Sequence, residues 1–105
     1  MQGTIQKIVH FVKGMVEPEM IILFGSVADG KFNENSDIDL LIVTGDLHLK
    51  RSYTEKIINY SRELSLKADV LIYSTGQLEK ESGKANSFVG SIMKHGKILY
   101  KKSTK

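Results

Sequence analysis

A chain of 105 residues has room for one domain with a single modest core, and 41% hydrophobic with 26% charged residues is the balance of a soluble globular protein. A net charge of +3, gathered largely at Lys94, Lys97, Lys101, Lys102 and Lys105, is too small and too local to single out nucleic acid as a partner. With no cysteine there is neither a disulfide framework nor a thiol nucleophile. No apolar run approaches the ~20 residues of a membrane span, and the opening MQGTIQKIVHFVKG lacks a signal peptide's apolar core, so the expected setting is the cytoplasm.

Taken in order, Thr4–Val16 is predicted to be an amphipathic helix, with Ile5, Ile8, Val9, Val12 and Met15 on one face. Thr4 is its expected N-cap, and Pro18 ends it. His10 is read as a surface or packing residue. Met20–Phe24 is almost continuously apolar, which predicts a central strand covered on both faces. Residues 27–35 form a loop, with Phe32 as its anchor and Asn33, Asn35 and Ser36 favouring turns. Asp37–Val43 is the second strand, broken at Thr44-Gly45-Asp46. A helix follows over about Arg51–Leu66, with Tyr53, Ile57, Tyr60 and Leu64 on its core stripe. Lys50 and Arg51 could reach a phosphate, but read first as its solvated start. Asp69–Tyr73 is the third strand. Ser74–Gly83 reads as a loop with a helical turn around Leu78. Asn86–His95 is the last helix, capped by Gly96, and Lys97–Tyr100 the last strand, with 101–105 as a frayed tail. The order α, β, β, α, β, α, β implies one α/β (α+β) domain over 1–105, a mixed sheet of about four strands with packed helices. Spacing does not give the strand order.

The chemistry concentrates in Leu23–Val43. On a strand, residues two apart face the same way, so Asp37 and Asp39 project together. Two like charges so close push one carboxyl toward protonation, and a hard divalent cation such as Mg²⁺ removes that cost. Alone, D-x-D is usually a solvated turn. Gly25-Ser26 at the end of the preceding strand changes the balance. A glycine there lets a phosphate approach the backbone, and the serine hydroxyl can bond its oxygens. Metal carboxylates beside a phosphate cradle suit phosphoryl or nucleotidyl transfer. Asp69, at the head of an apolar strand, is costly unless paired or metal-bound.

Gly25-Ser26, ten residues, then Asp37-x-Asp39 running into LLIV resembles the nucleotidyltransferase signature of the DNA polymerase β superfamily, most closely its minimal nucleotidyltransferases. The Gly-Lys-Ile-Leu-Tyr close, residues 96–100, is similar too. The resemblance implies a nucleotidyltransferase fold with helices packed mainly on one face of the sheet and the site along the other. It implies that Asp37, Asp39 and Asp69 are catalytic and hold Mg²⁺, two ions in all, with Asp69 the base on the attacking hydroxyl. Gly25 and Ser26 would seat the β- and γ-phosphates of a nucleoside triphosphate, ATP being the expected one. The implied reaction moves AMP to an acceptor hydroxyl and releases pyrophosphate. The implied acceptor is a tyrosine of a helical HEPN-type toxin, with this chain as the antitoxin. Many relatives carry arginines after Gly-Ser, where this chain has Val27 and Asp29. That departure favours the alternative, a non-catalytic antitoxin or binding module that neutralises a partner by contact. Which nucleotide, which acceptor and whether the chain forms homo-oligomers stay open.

Overall fold

The computed structural model describes residues 2–25, 37–45, 50–84 and 87–102. Helix α1 (Gln2–Met15) starts ahead of Thr4, which lies inside it instead of capping it. Its stripe of Ile5, Ile8, Val9 and Val12 is buried as the periodicity requires. Strand β1 (Pro18–Phe24) opens on Pro18 itself, a position where a strand tolerates the missing N–H. β1 pairs antiparallel with β2 (Ile38–Thr44) on one side and with β4 (Lys97–Lys101) on the other. Helix α2 (Lys50–Glu63) then carries the chain across the sheet to β3 (Ala68–Tyr73), which runs parallel to β2. The order is β3-β2-β1-β4, with β1 and β2 central.

Alternation along the strands builds two apolar layers. Ile38, Leu40 and Ile42 of β2 point to α1 and α2, meeting Val12 and Ile57. Leu41 and Val43 point the other way, to two shorter helices, α3 (Thr75–Ser82) and α4 (Phe88–His95), meeting Leu78, Val89 and Ile92. The two 14-residue helices therefore share one face, as the resemblance implies, but two 8-residue helices cover part of the opposite face. Their apolar contacts on that face reach Leu41 and Val43 of β2, toward the end of the strand away from Asp39. No helix among the described residues is long and apolar enough to cross a membrane.

Local chemistry explains the boundaries. α2 stops earlier than expected, at a turn with Ser65 at φ 63°. Leu66 N–H donates to Ser61 O at 2.9 Å and Ser65 N–H to Arg62 O at 2.9 Å, the paired bonds of a Schellman stop with serine where glycine is usual. The stretch expected to be a loop is α3, because Ser74 and Gln77 form a reciprocal capping box. Ser87 caps α4 through Gly90 N–H at 2.8 Å. Gly96 ends α4, donating to Ile92 O at 2.7 Å. Its need for glycine is spatial, since a Cβ would lie 2.6 Å from Ile22 Cγ2. β4 runs one residue further than expected, and Lys102 N–H donates to Glu19 O at 2.8 Å.

Candidate active site

Three chain ends meet at one end of the sheet. Gly25 follows the last residue of β1, Asp37 precedes the first of β2, and β3 starts beside β2. The antiparallel register sets Phe24 opposite Asp39, and the parallel register sets Asp39 opposite Asp69. Ile38 N–H donates to Lys67 O at 2.9 Å, which locks the two strand starts together. Asp37, Asp39 and Asp69 share the strand face of Leu41, Val43, Leu71 and Tyr73, beyond the cover of α3 and α4. Asp39 is half-buried, while Asp37 and Asp69 are exposed.

The Asp39 carboxyl is raised above its ordinary 3.8, first by burial, then by the charge of Asp69, a hydrogen bond with Asp69, and the charge of Asp37. Gly25 sits against this group in the left-handed region, at φ 81°, and a Cβ there would collide with Asp39 Oδ2. Glycine is required twice over, by the turn and by the carboxylate.

Among the described residues, no three acidic, histidine or cysteine side chains are placed to hold a metal ion as they stand. The donor set nevertheless fits a hard cation. It offers only carboxylate oxygens, and a bound divalent cation would offset the repulsion among Asp37, Asp39 and Asp69.

Two hollows flank the carboxylates. On the β3 side one of about 280 Å³ is lined by Asp37, Asp69, Arg62, Lys67 and Ile58. On the β1 side one of about 370 Å³ is lined by Gly25, Phe24, Phe88, Ser91 and His95. The Phe24 and Phe88 rings meet edge to face there, at 5.8 Å. A roomier hollow of about 600 Å³, including Lys13, Glu17 and Thr44, lies at the opposite end of the sheet and shares no residue with the carboxylates. Of the sequence-predicted residues, Asp37, Asp69 and Gly25 line the two smaller hollows, not the roomiest one.

Of the residues singled out from the sequence, Gly25, Asp37, Asp39 and Asp69 come together. Ser26, Val27, Asp29 and Phe32 lie outside the described residues. Lys50 and Arg51 are exposed at the start of α2, at the far end of the sheet from the carboxylates. His10 is exposed on α1, Tyr53 is buried, and Tyr60 stacks on Phe11 at 4.3 Å, so both tyrosines pack. The sequence reading passed over Arg62, Lys67 and Phe88. The first two were findable: in a β-α-β crossover, the helix end and the next strand's start return to where the first strand begins.

A family model described as "Polymerase beta, Nucleotidyltransferase" matches residues 6–105. The chain is 38% identical over 82 residues to the proposed protein adenylyltransferase MJ0604 of Methanocaldococcus jannaschii, covering 76% of each chain. It is 41% identical over 54 residues to a second from that organism, MJ0141, covering 51% of this chain and 54% of the relative. Among solved structures, a toxin–antitoxin complex with AMP-PNP superposes with a TM-score of 0.65 at 22% identity, covering 96% of this chain and 73% of that one. A complex of a tri-AMPylated HEPN toxin of Shewanella oneidensis with its MNT antitoxin superposes with a TM-score of 0.63 at 19% identity, covering 96% and 72%. These structural likenesses establish the fold, and the family match together with the first relative establishes descent: the chain belongs to the polymerase beta nucleotidyltransferase family and is a nucleotidyltransferase.

Proposed function

We propose that the chain transfers AMP from ATP to a hydroxyl of a protein acceptor, with Asp37, Asp39 and Asp69 as its catalytic carboxylates. The observation that carries this is the pairing of Asp39 with Asp69 across β2 and β3, with Asp37 alongside and Gly25 cleared of any side chain. The choice of ATP and of a protein acceptor is supported by the names of the two archaeal relatives and by the fold neighbour with AMP-PNP.

Asp37, Asp39 and Asp69 would hold Mg²⁺, two ions in this reading, which when bound supplies charge neutralisation at the phosphates. Gly25 gives the triphosphate a close approach to backbone, and Ser26 is assigned its β- and γ-oxygens. Asp69, on the edge strand, accepts the proton of the acceptor hydroxyl. The acceptor oxygen bonds to the α-phosphorus as the bond to pyrophosphate breaks. Asp39, half-buried and crowded, fixes the geometry of the other two. The acceptor we assign is a tyrosine of a HEPN-type partner, with this single domain as the antitoxin of the pair in the cytoplasm. The two fold neighbours from toxin–antitoxin complexes support that assignment.

Val27 and Asp29, in place of arginines, favour a second reading in which the chain neutralises its partner by contact alone. Calorimetric titration with ATP separates the two. The enzyme reading expects binding that needs Mg²⁺ and disappears in Asp39→Ala while the far-UV spectrum is kept. No heat at millimolar ATP from the wild type, with tight partner binding, would leave only the contact reading.

A further inference from the structure

The hollow beyond Asp69 contains a pair of cations that the transfer chemistry does not use. Arg62 lies on the last turn of α2, and Lys67 immediately precedes β3. The Ser65 turn and the bond from Ile38 N–H to Lys67 O hold both segments against the start of β2. Among the described residues neither cation forms an ion pair; the pairs there are Lys84–Glu81 and Lys102–Glu19. The hollow thus has two positive groups facing two carboxylates, Asp37 and Asp69, at a distance that leaves both sets exposed.

Its position gives it a side in the reaction. Gly25, assigned above to the phosphates, lies across Asp39 from it, toward β1. Asp69, which receives the acceptor proton in the reading above, forms part of its wall. β3 is an edge strand, so the hollow opens outward, where a second macromolecule can reach it. Once Asp37 and Asp69 are neutralised by bound cation, the remaining charge of the wall is that of Arg62 and Lys67, and an anionic group is favoured.

We infer that Arg62 and Lys67 select the acceptor, by binding an acidic residue that flanks its hydroxyl. This rests on the proposed transfer reaction and adds the chemistry of its second substrate. A protein segment fits better than a nucleic acid. About 280 Å³ takes one or two side chains, while a strand of phosphates needs a long basic track, and here it would run into the carboxylates.

The test uses the full ¹⁵N-labelled chain with Mg²⁺ and a non-hydrolysable ATP analogue. Three probes are titrated: a tyrosine peptide flanked by glutamates, the same peptide flanked by lysines, and a short single-stranded oligonucleotide. The glutamate peptide is expected to shift the amide signals of residues 62–69 and to bind about tenfold tighter than the lysine peptide, the scale of exchanging attraction for repulsion at two exposed cations. Arg62→Glu with Lys67→Glu, both exposed positions, should reverse that preference and leave the affinity for the analogue unchanged. Equal binding of the two peptides, no binding of either, signals shifting elsewhere, or stronger binding of the oligonucleotide overturns the inference. So does loss of analogue affinity in the charge-reversed variant, because the cations would then serve the triphosphate. If the wild type fails to bind the analogue at all, the transfer reading itself is what fails.

Discussion

Replacing Gly25 by alanine tests the site's geometry without touching a charge. Two costs are expected, and they are separable. The residue holds φ 81°, where a side chain meets its own backbone, at about 1–2 kcal/mol. The new Cβ also meets Asp39 Oδ2, and moving that carboxylate off its rotamer adds about 0.5–1.5 kcal/mol. Together they predict a loss of about 1.5–3.5 kcal/mol, which at about 4–8 °C per kcal/mol lowers the melting temperature of a domain of this size by about 6–28 °C. Urea unfolding measures it directly, and a double-mutant cycle apportions it. In an Asp39→Ala background the carboxylate is gone, so Gly25→Ala should cost only the backbone part. If Gly25→Ala costs the same in both backgrounds, the carboxylate does not rest against the glycine and the site has been built wrongly. If it costs nothing in either, the positive φ is wrong as well.

Two further outcomes follow from the same residues. Asp39 keeps its proton above the ordinary 3.8, so its favourable contribution is complete below that pH and is lost as pH rises through the raised value. Without divalent cation, thermal stability should therefore fall with rising pH in that window, and Asp39→Asn should flatten the profile and raise the melting temperature at neutral pH; a profile identical to wild type would refute the crowding. Ser65 holds φ 63° in the turn that ends α2, so Ser65→Gly should stabilise the chain by about 0.5–1 kcal/mol in urea unfolding, and a destabilised variant would mean that the serine side chain contributes more than its backbone costs.

The elements with strong periodicity could be read from the sequence. The stripe of α1 and the apolar runs of β1 and β2 name their own core faces. So could the site's acids, because a strand places Asp37 and Asp39 on one side by geometry alone. What could not be read depends on contacts distant in sequence or on unusual residues in usual roles. No glycine marks the end of α2, so the helix was expected to run on to Leu66, when Ser65 stops it. Residues 74–83 read as a loop because they are mostly polar, although Ser74 and Gln77 carry the capping box of α3. Thr4 looked like a cap, but capping depends on where the chain enters the fold. The pairing of Asp39 with Asp69 needs the strand order, which spacing does not contain. Arg62 and Lys67, by contrast, follow from the crossover rule once β2 and β3 are taken as parallel neighbours, and the same rule sends the equally basic Lys50 and Arg51 to the far end.

The position of β1 between β2 and β4 has a consequence for how the protein is made. β1 carries the uncharged run Met20–Phe24, and its second neighbour enters the chain only after β3, α3 and α4. During synthesis that flank stays bare, with the composition of segments that stack between molecules. The finished sheet hides it behind a strand with lysine at both ends, Lys97 and Lys101, which discourages any further strand from adding. Until β4 is made, the chain therefore passes through a stage in which one flank of an uncharged strand is open to other molecules, and pairing with β4 closes it.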